Sequence, residues 1–147
     1  MITRLPDWPR RLELFFAANL NRRFVYGQWD CCLMALAAIE AMTGKDLAVP
    51  YRGTYHNRDG AYNLIKRETG KERSLESVVD MWRKLMLDAG IEEKPPSFAQ
   101  RGSPVAIRLE RGASIIGICG LDGRPVVLTR RRMLIVPRQL VISSWRV

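Results

Sequence analysis

Phe24-Val25-Tyr26-Gly27-Gln28-Trp29-Asp30-Cys31-Cys32-Leu33-Met34-Ala35-Leu36-Ala37-Ala38-Ile39-Glu40-Ala41-Met42-Thr43-Gly44 is the stretch that decides the fold. Asp30 stands where a helix N-cap stands, and Gly44 stands where the left-handed residue after a helix stands. Between them, over residues 31–42, only Glu40 carries a charge. A helix that is apolar nearly all round is buried on most sides. This segment is therefore expected to be the central helix, with two thiols in its first turn. Cys31 reads as a nucleophile or as a small buried hydrophobe, and Cys32 as core.

Outward from that helix, Asp7-Trp8-Pro9 reads as a helix start, with Leu12, Phe15 and Phe16 following at helical spacing to about Asn21. Residues 45–59, with Pro50 and Gly53, read as loop, anchored by Val49, Tyr51 and Tyr55. Asp59 is expected to cap a third helix over 60–69, closed by Gly70. A fourth begins at Ser74 and carries Leu75, Val78, Val79, Trp82, Leu85 and Met86 at spacings of three and four. Residues 91–100, with Pro95-Pro96, read as a linker. Beyond them, 105–109, 113–119, 125–129, 133–136 and 141–147 are short runs rich in Val, Ile and Leu. Leu121-Asp122-Gly123 is a hairpin signal. Helices first and a meandering antiparallel sheet second make an α+β pattern. One domain over 1–147 is expected, with a helical half at 1–94 and a β half at 101–147. Trp8, Trp29, Trp82 and Trp145 read as core anchors. Trp29 alternatively lines a cleft, and Trp145 alternatively docks on a neighbouring subunit.

The 147 residues carry a formal charge of +9, and residues 101–147 hold nine Arg against Glu110 and Asp122. A basic surface suits an anionic partner such as nucleic acid, a cell-wall polymer or an acidic protein face. Arg130-Arg131-Arg132 reads as a partner surface or as a solvated strand end or turn, and Arg138 and Arg146 are placed with that partner surface. No helix carries the basic, aromatic-interleaved stripe of a nucleic-acid binder. No apolar run reaches membrane-span length, and the N-terminus lacks a secretory signal. Three cysteines, two of them adjacent, do not make a disulfide framework. Cys31, Cys32, Cys119 and His56 are soft ligands, but adjacent cysteines chelate poorly, so neither metal nor cofactor is expected.

A thiolate at a helix N-terminus is stabilised by the helix dipole and by unpaired backbone N–H groups. Tyr26-Gly27-Gln28-Trp29-Asp30-Cys31-Cys32-Leu33 resembles the nucleophile motif of the NlpC-type, papain-like peptidoglycan cysteine peptidases. Arg101-Gly102-Ser103-Pro104-Val105 is similar to the family's Pro-Gly-Asp-apolar strand start, with Ser103 in place of Asp. Ser114-Ile115-Ile116-Gly117-Ile118-Cys119 is similar to its next strand, which reads His-Val-Gly-Ile-Tyr in active members. The resemblance implies an NlpC-type fold with about four helices, then a five-stranded antiparallel sheet packed on the Cys31 helix. Leu5-Pro6-Asp7-Trp8-Pro9 and Trp145-Arg146-Val147 look like a small, phage tail-associated branch of that fold.

Aligning Gly117-Ile118 with the family's Gly-Ile places Ile115 at the histidine position. Isoleucine accepts no proton, and the one histidine, His56, lies in the loop after the central helix. Loss of a general base typically lowers rate on the order of a hundredfold or more. The expectation is a degenerate peptidase-like domain, a pseudoenzyme in a bacteriophage tail tip or baseplate hub. It would act through other tail proteins, in the host cytoplasm during assembly and then in the virion tail. The alternatives are an active peptidoglycan endopeptidase, with Cys31 as nucleophile and His56 or another chain as base, and a basic nucleic-acid-binding accessory protein.

Overall fold

The structure is a computed structural model and describes residues 2–147. Four α-helices come first: α1 Trp8–Asn19, α2 Cys31–Thr43, α3 Arg58–Thr69 and α4 Ser77–Asp88. Six strands follow: β1 Glu92–Lys94, β2 Pro104–Arg108, β3 Ser114–Cys119, β4 Pro125–Leu128, β5 Met133–Ile135 and β6 Val141–Arg146. They form one antiparallel sheet in the order β1-β6-β2-β3-β4-β5. The architecture is α+β.

α2 forms where its caps place it. The Asp30 backbone is extended, and its carboxylate accepts from the Leu33 N–H. Gly44 closes the helix at φ 79° and returns its N–H to the Glu40 carbonyl. Leu33, Leu36 and Ile39 pack with Trp82 and Met86 of α4 and with Ala106, Ile116 and Trp145 of the sheet. Met34, Ala38 and Met42 pack with Leu12 and Phe15 of α1 and with Ile118 and Leu128 of the sheet. α2 is thus enclosed on both flanks by helices and beneath by strands, which is why nearly all its positions are apolar. Trp145 is buried edge-to-face against Trp82, ring centroids 6.2 Å apart, so it is core and not a subunit anchor.

Several expectations are corrected. The sheet has six strands, not five, and β1 lies within the expected helical half and linker. Glu92-Glu93-Lys94 shows no apolar alternation; it is a strand because its backbone pairs with β6 at the sheet edge. α3 starts at Arg58, capped by the Asn57 side chain on the Gly60 N–H, and Asp59 lies in its first turn. α4 starts at Ser77; the Ser77 hydroxyl accepts from the Ser74 N–H and turns residues 74–76 into its lead-in. Asp7 makes no side-chain cap and instead pairs with Arg11 at 2.7 Å.

Candidate functional site

Residues 24–30 fold into a tight antiparallel turn. Val25 and Trp29 exchange backbone hydrogen bonds at 2.9 and 2.8 Å, and Gly27 sits at the tip with φ +80°. That conformation favours glycine. A Cβ there would also lie 1.9 Å from the Tyr55 carbonyl oxygen. The turn delivers Asp30 to the start of α2, buried, with both carboxylate oxygens engaged. Oδ1 accepts from the Leu33 N–H, and Oδ2 accepts from the Gly27 N–H and from the Tyr55 hydroxyl. One carboxylate therefore caps α2, closes the preceding turn and holds the loop after α2. The Gly53 N–H adds a bond to the Gly27 carbonyl at 2.8 Å.

Cys31 and Cys32 open α2, both half-buried, and border a cavity of about 300 Å³. Its walls come from all the surrounding elements: Tyr26 from the turn, Leu36 from α2, Tyr55 from the loop, Tyr62 from α3, and Trp82 from α4. Leu128, Thr129 and Arg130 close it from the sheet side. The Cys31 thiol pushes the Cys32 thiol well above its usual range, reinforced by burial and by Asp30. Burial, then the Asp30 charge, pushes the Tyr55 hydroxyl far up, so that it remains a donor to Asp30 at any ordinary pH.

His56 does not join the cavity. Tyr55 turns inward to Asp30, while the next residue, His56, is exposed and does not line the space beside Cys31. On β3, Ile116 and Ile118 pack toward the helices, and the buried Ser114 hydroxyl donates to Glu76 at the start of α4. Ile115 packs with Ile107, Cys119 and Val127 on the other sheet face, and it also borders the cavity. No imidazole or carboxylate stands on β3. Cys119 is buried on that other face and is not gathered with the α2 thiols. Among the described residues no three His, Cys, Asp or Glu side chains converge as a metal site.

The remaining motif residues have structural roles. Trp29 does not line the cavity; it packs against Phe15 at 5.9 Å, between α1 and α2. Gly117 lies where a Cβ would meet the Val126 carbonyl oxygen at 2.5 Å. The five arginines are dispersed. Arg130, Arg131 and Arg132 form the β4–β5 turn, and of these Arg130 borders the cavity. Arg138 donates to the carbonyls of Gly123 and Ala99, pinning two loops. Arg146 is on β6, separated from β4 by β2 and β3.

A family model described as a domain of unknown function (DUF6950) matches residues 3–147. The chain belongs to the DUF6950 family. No curated protein and no solved structure matches it. Within this DUF6950 chain, sequence reasoning took Tyr55 as a loop anchor and did not single out Arg58. Tyr55 follows the signal Arg52-Gly53-Thr54, in which Gly53 has φ +77° and bonds back to the Gly27 turn. Arg58 carried no signal beyond its place at the start of α3.

Proposed function

We propose that this chain is a structural component of a phage or prophage tail tip (baseplate hub). It is a degenerate, NlpC-type cysteine-peptidase-like domain that acts through protein–protein contacts in tail assembly or DNA delivery. The observation that carries this reading is the composition of the cavity beside Cys31: thiols, aromatic and aliphatic side chains, arginines and the one carboxylate of Asp30, with no imidazole. A thiol nucleophile needs a base within hydrogen-bond reach. Asp30, the carboxylate nearest in sequence, is held by two backbone N–H groups and a phenol. The resemblance of residues 26–33 to the peptidase motif supports descent of the site from an enzyme. Among the described residues no helix is long and apolar enough to cross a membrane. Mass spectrometry of purified virions or tail particles tests the assignment. Detection of this chain at stoichiometric level is expected, and its consistent absence would sink the proposal.

One observation favours a second reading, an active peptidoglycan endopeptidase: Cys31 borders an accessible cavity at a helix N-terminus. Digestion of purified peptidoglycan by wild type and Cys31→Ala separates the two. Equal, negligible release of peptides fits the binding domain, whereas Cys31-dependent release establishes the enzyme.

A further inference from the structure

β5 ends the sheet and, among the described residues, pairs only with β4. That ladder fixes which of its backbone groups are free. The Thr129 N–H bonds the Arg132 carbonyl and the Val136 N–H bonds the Pro125 carbonyl, so the hydrogen-bonded pair between them is Val127 with Leu134. The N–H and carbonyl groups of Met133 and Ile135 therefore point away from β4, to the open side. A row of unpaired backbone groups is a template for another strand.

Two independent observations lie at the same edge. An open groove of about 790 Å³ separates the end of α1 from β5 and is lined by Phe16, Leu20, Leu121, Val126, Met133 and Ile135. Leu20 is 60% exposed and Ile135 55%. Met133 packs toward the helices and Leu134 toward the other sheet face, so by alternation Ile135 shares the Met133 face. A seventh strand beside β5 would lay alternate side chains over these apolar groups. The rim is basic. Arg132 borders the groove, Arg130 and Arg131 precede it in the same turn, and none of the three makes an ion pair among the described residues. Asp122 is the one carboxylate on the lining, and Arg124 holds it at 2.6 Å.

We infer that β5 accepts an added strand from a partner protein, an extended segment with apolar side chains for the groove and acidic residues beside Arg131 and Arg132. Its backbone pairs with Met133 and Ile135, which gives affinity, and its side chains give specificity. A hydrocarbon chain would fill the groove but offer nothing to the two backbone positions. A second copy of this chain fits poorly. Two β5 edges pairing symmetrically through Met133 and Ile135 would set Arg130 opposite Arg138, a like-charge pair. β1, the other open edge, is Glu92-Glu93-Lys94 and brings no apolar side chain to the groove. The inference deepens the reading of the chain as a protein-binding tail component and rests on it.

The probes are N-acetyl-Val-Thr-Val-Thr-Val-Glu-Glu-amide and the reversed sequence N-acetyl-Glu-Glu-Val-Thr-Val-Thr-Val-amide, which place the acidic end beside Arg131 and Arg132 in an antiparallel and a parallel pairing respectively. Each is titrated to millimolar concentration into the isotope-labelled full chain by NMR. At least one is expected to bind and to slow hydrogen exchange at the Met133 and Ile135 amides. Its Gln-Gln counterpart is expected to bind about fivefold more weakly, the size of two exposed ion pairs. Alternate N–H groups of a strand face opposite edges, so N-methylation of either the valines or the threonines is expected to abolish binding. Arg131→Ala/Arg132→Ala, both exposed, is expected to bind the Glu and Gln peptides alike, and Leu20→Glu on the exposed rim is expected to abolish both. Failure of both probes to bind, equal affinity for Glu and Gln peptides in the wild type, undiminished binding of both N-methylated forms, or dodecanoate binding tighter than the peptide would each overturn the inference. A dimer in sedimentation velocity that Leu20→Glu dissolves would assign the groove to a second copy and also overturn it. None of these outcomes touches the detection of the chain in virions. Its absence there would sink the tail assignment and leave the strand-binding edge standing.

Discussion

Asp30→Ala removes three hydrogen bonds from one buried carboxylate. Loss of a helix N-cap costs about 1 kcal/mol. The Gly27 N–H and the Tyr55 hydroxyl each lose a charged acceptor, worth about 1.5–3 kcal/mol apiece, and the half-exposed Tyr55 regains part of that from water. The expected destabilisation is about 3–5 kcal/mol, a large share of the 5–15 kcal/mol typical of a domain. Tyr55→Phe leaves both backbone donors on Asp30 and is expected to cost about 1.5–3 kcal/mol. Urea unfolding followed by tryptophan fluorescence measures both, and the double variant closes the cycle. The double variant is expected to lose at least 1 kcal/mol less than the sum of the singles, because the shared bond is counted twice. Additivity within about 0.5 kcal/mol would refute the view that Asp30 and Tyr55 act as one unit. A pH arm adds an independent check. The Tyr55 pKa is raised in the folded state, so its contribution is fully present below about pH 10, where the unfolded phenol titrates, and is lost as pH rises further. The wild type is therefore expected to lose stability above that pH more steeply than Tyr55→Phe. Matching slopes would count against the buried donor.

Gly27→Ala combines a positive φ with a Cβ that would overlap the Tyr55 carbonyl oxygen, and a loss of at least about 3 kcal/mol is expected in thermal melts, with faster hydrogen exchange at Gly53. Trp145→Ala removes a buried ring from the junction of α4 and the sheet, and about 3–5 kcal/mol should be lost in urea titrations. Burial pushes the Cys119 thiol up to about 11, so folding should weaken as pH climbs from about 9 toward that value, and Cys119→Ala should flatten this part of the profile. In the native chain at neutral pH, a thiol reagent should modify the half-buried Cys31 well before the buried Cys119; equal rates would contradict their placement.

The elements readable from the sequence were those whose ends and faces are local. α2 has a cap at each end and an uninterrupted apolar body, so its bounds follow from Asp30 and Gly44. The spacing of Val79, Trp82, Leu85 and Met86 marked the buried face of α4 in the same way. β1 was hidden because Glu92-Glu93-Lys94 is a strand by virtue of a partner some fifty residues away. Asp59 was the expected cap of α3, but Asn57, two residues earlier, has the extended backbone and takes the Gly60 N–H. The site divided similarly. The Gly27-to-Cys31 motif is contiguous and visible. Its union with Tyr55, and the meeting of Arg58 with Arg130 at one cavity, depend on long-range packing that no local pattern encodes. Arg138 read as part of a partner surface because nothing in its neighbourhood shows that two distant carbonyls await it.

β6 lies between β1 and β2, and this sets an order of events during synthesis. β2 through β5 form a meander of neighbours and can pair as they emerge. Val105, Ala106 and Ile107, all buried in the finished sheet, must then wait with one edge open until residues 141–146 arrive. β1 waits longest, since its only pairing partner is β6. Such non-local closure is slow, and an open apolar edge is a template for a foreign strand. For this chain, the interval before β6 inserts is when aggregation competes hardest with folding.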